Sequence, residues 1–268
     1  MSELKVAACQ MRSTDDPEAN KKQVREFLQK LEKVDLVSLP ENSLFLRIRA
    51  GEKFLGFSKD DPFFGELASW AKKNQTCVHL GSVALQNENA KLLNATVWID
   101  HAGQISFPYS KIHLFDVDVE DETQVRESDN FAAGSQPSIV QIKDWKIGLS
   151  ICYDLRFSEL YLSYAKVPVD LILIPSAFLV TTGEAHWHSL IRARAIEAQA
   201  YVVAAAQGGE HLSKSGDKRH TYGHSLMVGP WGEILAEGSD QKAIIQTFSK
   251  EKISRVRKQI PMQSHRRF

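Results

Sequence analysis

Residues 5–11 read KVAACQM and residues 34–41 read VDLVSLPE; residues 146–152 read KIGLSIC and residues 169–176 read VDLILIPS. Each is a short continuous apolar run, the pattern of a strand buried on both faces. Two further pairs extend the match: TCVHLGSVAL from Thr76 against AYVVAAAQ from Ala200, and ATVWIDHAGQI from Ala95 against SLMVGPWGEIL from Ser225. The two series run in the same order, roughly 130 to 140 residues apart, which makes the chain an internal duplication. Polar segments with helical periodicity separate the strands, at 17–33 and 63–74 in the first half and from about 158 and at 184–198 in the second. Strand, helix, strand, helix, strand defines an α/β sheet. The closing strand–turn–strand units make each sheet mixed. Two such halves can pack sheet on sheet with helices outside, so the expected architecture is a four-layer αββα sandwich. With no Gly/Ser/Pro-rich linker between the halves, residues 1–268 are expected to form a single domain.

Composition narrows the function classes. The 268 residues carry 33 basic and 33 acidic side chains, which removes the electrostatic footprint of a nucleic-acid binder. A hydrophobic content of 43% with 25% charged residues is that of an ordinary globule. The longest apolar stretch, 171–180, is broken by Pro175 and Ser176 and is too short for a bilayer. Glu3 and Lys5 stand where a signal peptide needs its apolar core. Three cysteines make no disulfide framework. The expectation is a cytoplasmic, reduced protein with no membrane partner. Charge is uneven in two places. Residues 116–129 hold seven acids and one base, as in a solvated loop or lid, and residues 249–268 hold seven bases and one acid. In the second segment Ile253, Val256 and Ile260 recur at helical spacing, so it is expected to be a surface helix and tail in contact with a partner subunit.

Ligands of open α/β sheets sit beyond the carboxyl ends of the strands. Glu41 follows VDLVSLP and Cys152 follows KIGLSI, at a strand-to-helix turn; Ser176 is the counterpart of Glu41 in the second half. A carboxylate beside a thiol can act as base and nucleophile. Taken alone, Cys152 reads first as a small buried hydrophobe, and Glu41 equally as a strand-end cap or salt-bridge partner. Cys9 and Cys77 lie inside apolar strands and read as core. No zinc signature is present: His186 and His188 are two apart, and His211, His220 and His224 match no ligand spacing. No metal or cofactor is expected. The Gly208-Gly209 pair is a turn signal.

Three segments together, LPEN at 39–42, YSKIHLFDVDV at 109–119 and GLSICYDLRFSEL at 148–160, resemble the Glu, Lys and Cys blocks of the nitrilase superfamily of carbon–nitrogen hydrolases. The similarity continues through 176–207 and 222–237. It implies an αββα fold of two similar halves and a homodimer or larger homo-oligomer. It also implies hydrolysis of a small-molecule carboxamide through a Cys thioester. Cys152 takes the place of the nucleophile, Glu41 of the general base and Lys111 of the third catalytic residue. Lys111 and the backbone N–H of Tyr153 would form the oxyanion hole. Glu127 resembles the additional glutamate that positions the lysine and substrate.

The HLFDVDV, TTGEAHW and YGHS segments resemble the branch containing deaminated glutathione amidase and ω-amidase, whose substrates are amides with an α-keto acid end. Arg156 is the candidate for that carboxylate, because its fork matches two oxygens, with Thr182 as a helper; a salt bridge from Arg156 to Glu159 or Asp154 is the alternative. His188 stands where related sequences often carry Glu.

Overall fold

The computed structural model describes residues 2–49, 51–88, 90–118 and 125–267. Its two main sheets have six strands each. The first runs Ala243–Ser249, Glu3–Cys9, Leu36–Ser38, Cys77–His79, Trp98–Ile99, Ile105–Ser106. The second runs Ser138–Ile142, Trp145–Leu149, Leu171–Leu173, Tyr201–Ala204, Ser225–Val228, Ile234–Gly238. In both, successive pairs are antiparallel, parallel, parallel, antiparallel, antiparallel. The register repeats as well. Val6 pairs with Leu36 and Leu36 with Cys77; Ile147 pairs with Leu171 and Leu171 with Tyr201. The sequence repeat had no strand corresponding to Ala243–Ser249. This strand returns from the far end of the chain to complete the first sheet alongside Glu3–Cys9.

Side-chain alternation explains the layers. Leu4, Val6, Ala8, Leu36 and Phe248 from the first sheet join Ile147, Leu149, Leu171 and Tyr201 from the second in one buried cluster. The Tyr201 and Phe248 rings stack 4.2 Å apart across the gap. The alternate positions Ala7, Cys9, Val37 and Val78 face outward onto two helices, α1 (Pro17–Lys30) and α2 (Pro62–Asn74), against Val24, Leu28, Phe63, Phe64 and Leu67. Helices α3 (Ser158–Lys166) and α4 (Val180–Ala198) cover the second sheet through Tyr161, Tyr164, Trp187 and Ile191. Each such buried side chain contributes roughly 1.5–3 kcal/mol. The fold is the expected αββα sandwich of two similar mixed-sheet halves.

Local signals account for the helix ends. Both α1 and α2 start at Asp-Pro, with Asp16 and Asp61 accepting backbone N–H groups of the first turn and proline at the first helical position. Both α2 and α4 stop at a left-handed glutamine, Gln75 and Gln199. Helix α1 ends before 33 because Leu31 is already extended. Helix α4 begins four residues before 184; its first turn, VTTG, contains β-branched residues and a glycine, which mask helical periodicity. The basic C-terminal segment forms α5 (Lys250–Gln259), which buries Ile253 and Val256 on its own chain, while Ile260 is exposed. Arg266 returns to the Glu197 carbonyl. Among the described residues, no helix is long and apolar enough to cross a membrane.

Candidate active site

Glu41 lies three residues past the strand Leu36–Ser38, and Cys152 three past the strand Trp145–Leu149. The two residues follow non-equivalent strands of the repeat, the second strand of the first half and the first strand of the second. Glu41 is presented by a tight loop in which Asn42 is left-handed. A Cβ on Gly81 would stand 2.2 Å from the carbonyl oxygens of both Leu39 and Pro40, so only glycine lets the neighbouring strand pass under this loop. Cys152 has φ +49° and opens a 3-10 turn, Cys152–Arg156. A non-glycine residue held there is strained, and the bend lifts the thiol off the end of the sheet. The loop after Leu171–Leu173 secures both residues: the Pro175 carbonyl accepts from Cys152 N at 2.9 Å, and Ala177 N donates to Glu41 Oε2 at 3.0 Å. Ser176, the counterpart of Glu41, supplies the fold of that loop and does not line the cavity.

Lys111 completes the cluster. Its ammonium lies 2.9 Å from Glu41 Oε1 and 2.8 Å from Glu127 Oε2. Asn94 Nδ2 donates to Glu41 Oε1 at 3.0 Å and Glu127 Oε1 at 2.9 Å, and Phe115 N donates to Glu127 Oε2 at 2.6 Å. Glu41, Lys111 and Cys152 are buried. Burial alone would lower the Lys111 ammonium, but Glu127 and Glu41 outweigh it and hold it well above its ordinary value. Burial and then the Glu41 charge push the Cys152 thiol well up, with Lys111 opposing. The resting thiol is therefore neutral, with a carboxylate as its neighbour.

One cavity contains Glu41, Lys111, Glu127, Cys152, Tyr153, Arg156 and Thr182 in its lining, so it gathers every residue to which the resemblance assigned a catalytic or substrate-binding place. The Tyr153 N–H sits in the first turn of the 3-10 segment, where intrahelical acceptors are lacking. Arg156 pairs with neither Glu159 nor Asp154 among the described residues. Its Nη1 donates to His186 Nδ1 at 3.1 Å, and its guanidinium lies over Phe178 and Tyr153. Thr182 Oγ1 reaches the Leu179 carbonyl at 3.4 Å.

Several contributors had no role assigned from sequence. Asn94 bridges the two glutamates, and Arg47 and Arg219 line the cavity with Arg156. Arg47 belongs to SLFLRIRA, directly after LPEN, where a second basic residue near the Glu block was the available signal. Asp154 is fully buried and collects four donors: Tyr109 Oη, Ile151 N, His113 N and His113 Nδ1. Burial and the Asp154 charge push the Tyr109 phenol up, which keeps it a donor. In the acidic segment Asp116–Val117 pairs antiparallel with Val125–Arg126, followed by Glu127; of the expected lid, 116–129, residues 119–124 lie outside the described residues.

The nine histidines divide by location. His211 is buried between the Ser13 carbonyl and Thr221 Oγ1, and His220 pairs with Glu210 on the surface. His188 and His224, unrelated by spacing, meet at Glu237.

The carbon–nitrogen hydrolase family model matches residues 5–258. The chain is 36% identical to the deaminated glutathione amidase of Dictyostelium discoideum, covering 100% of this chain and 95% of that protein. It is 40% identical to the nitrilase and fragile histidine triad fusion protein NitFhit of Drosophila melanogaster, over 90% of this chain and 52% of that protein. The chain thus spans about half the length of that fusion. The crystal structure of C. elegans NitFhit superposes with a TM-score of 0.86 at 34% identity, covering 100% of this chain and 66% of that one. A carbon–nitrogen hydrolase superfamily protein from Xanthomonas campestris, with an arsenic adduct in its active site, superposes with a TM-score of 0.85 at 25% identity, covering 100% of this chain and 98% of that one. Sequence, duplicated sandwich and family match agree: this chain is a member of the nitrilase superfamily of carbon–nitrogen hydrolases.

Proposed function

We propose that the protein hydrolyses the carboxamide of a small α-keto acid, with deaminated glutathione as the substrate and α-ketoglutaramate as the nearest alternative. The observation that carries this reading is the lining of one cavity. Cys152, Glu41 and Lys111 share it with three guanidiniums, Arg47, Arg156 and Arg219. Lys111 is already paired with Glu41 and Glu127, so the arginines supply further positive charge to the lining, and a guanidinium fork suits a carboxylate rather than the scissile amide. The relatives named deaminated glutathione amidase support the same choice.

The chemistry follows from the charges. Glu41 takes the Cys152 proton as sulfur attacks the amide carbon. The carbonyl oxygen gains charge, and the Tyr153 N–H and an ammonium N–H of Lys111 receive it; each such donor is worth about 3 kcal/mol. Two of the three Lys111 donors are held by Glu41 and Glu127, which leaves one for substrate. As the tetrahedral species collapses, Glu41 returns the proton to the departing nitrogen, which leaves as amine or ammonia. A water then approaches the thioester, Glu41 removes its proton, and sulfur is expelled and reprotonated as the keto acid forms.

The test is kcat/KM for deaminated glutathione against α-ketoglutaramate, followed through the keto-acid product common to both. A tenfold preference corresponds to about 1.4 kcal/mol of transition-state discrimination. Preference for the longer substrate supports the reading, and preference for the shorter makes the protein an ω-amidase. Cys152→Ala should abolish turnover and leave folding intact; more than trace activity in that variant would overturn the mechanism.

A further inference from the structure

Away from the cavity, three ligating side chains from three elements converge. His188 lies on α4, His224 in the turn before Ser225–Val228, and Glu237 on Ile234–Gly238. Their ligand atoms all lie within 4.8 Å of one another. Glu237 Oε1 accepts from His188 Nε2 at 3.1 Å and from His224 Nδ1 at 2.6 Å. None of the three lines the Cys152 cavity.

The rings are held in place from behind. His224 has φ +55°, and its carbonyl is fixed by Trp187 Nε1 at 2.8 Å. The Tyr222 ring stacks on His224 at 4.3 Å and meets His188 edge-on at 6.2 Å. Arg192, one turn after His188, is turned to the Gly232 carbonyl.

We propose that His188, His224 and Glu237 form a binding site for a divalent transition metal of the zinc class. Two imidazole nitrogens and one carboxylate oxygen suit zinc and disfavour magnesium or calcium, which want oxygen alone. Metal–ligand bonds of about 2.0–2.2 Å with tetrahedral angles put ligand atoms roughly 3.3 Å apart. The present separations reach that by small side-chain shifts. On binding, each imidazole proton moves to the other ring nitrogen and the metal takes the freed lone pair. The three side chains are each about one-third exposed, which leaves a fourth position for water. The metal would clip α4 to the Ser225–Gly238 hairpin. Tyr222 connects this clip to the cavity wall, since its ring packs against Gly183 and its N–H donates to the Phe178 carbonyl. The role is structural, with no part in attack on substrate.

The experiment is calorimetric titration of tag-free protein with zinc chloride, after Cys152 has been blocked by alkylation so that its thiol does not compete. One equivalent per chain with micromolar or tighter affinity is expected, and cobalt chloride should give the visible band of a low-coordinate Co2+ site. Glu237→Gln keeps a hydrogen-bond acceptor for both rings, and His188→Gln alters a partly exposed helix position, so both should fold. Each should weaken zinc binding by about 100-fold or more. The proposal is overturned by absence of binding, by affinity unchanged in both variants, or by magnesium chloride giving the same heat.

Discussion

Asp154, two residues past Cys152, accepts both the backbone N–H and the ring Nδ1 of His113, two residues past Lys111, at 3.0 and 2.8 Å. A carboxylate oxygen only accepts, so Nδ1 carries the ring proton. The other Asp154 oxygen receives Tyr109 Oη and Ile151 N. One buried carboxylate therefore ties the Cys152 turn to the Lys111 segment on both sides. The His113 ring is further sandwiched on Phe157 at 3.7 Å.

Asp154→Asn replaces one acceptor oxygen by an amide donor facing two donors. The expected result is a loss of about 1–3 kcal/mol for each buried group left unpaired. A fall in kcat of about 100-fold should accompany it, because sub-ångström misplacement of Lys111 from the oxyanion is costly. Urea unfolding together with steady-state kinetics checks this. A destabilised variant with unaltered kcat would show that the tie is structural only.

Arg47→Gln and Arg156→Gln test recognition of the carboxylate. Each should raise KM for a keto-acid amide by about 10- to 100-fold, the worth of a hydrogen bond to a charged group. The change in kcat should be smaller. A neutral amide of similar size should be almost unaffected. Equal losses on charged and neutral amides would remove these residues from substrate binding.

The three cysteines should label in a fixed order. Burial pushes the Cys9 thiol up to about 12 and the Cys77 thiol up to about 11. Cys152 is also raised, yet it lines the cavity beside Glu41, and reactivity needs both thiolate formation and access. One equivalent of iodoacetamide should modify Cys152 alone, as read by peptide mass spectrometry. Comparable labelling of Cys9 or Cys77 in the folded protein would contradict this.

Stability should fall on mild acidification. Burial pushes His79 down to about 3 and His211 down to about 4, from an ordinary 6.5. Between pH 6.5 and about 4 the unfolded chain takes up protons at both rings that the folded chain refuses. Stability present above pH 6.5 is thus lost as pH falls, at about 1.4 kcal/mol per pH unit for each histidine. Urea melts across this window should show the slope, and His79→Leu, which removes one titrating ring, should about halve it. A flat profile would exclude the effect.

The sequence by itself determined the duplication, the strand and helix series of each half, and through LPEN, YSKIHLF and ICYDLR the membership in its superfamily. These are legible because a strand buried on both faces must be apolar throughout, and because helix ends such as Asp-Pro are local chemistry. The cluster of Glu41, Lys111, Glu127 and Cys152 was named through resemblance; their spacing along the chain says nothing of contact. Tertiary structure alone placed the strand Ala243–Ser249 beside Glu3–Cys9, set Asn94 between two glutamates, brought Arg47 and Arg219 to the cavity of Cys152, and joined His188 and His224 at Glu237. Each of these depends on residues far apart in the chain whose partners are chosen by how the two sheets and their covering helices pack. A hydrogen bond across that distance leaves no periodicity or motif behind, so only the packed fold decides it.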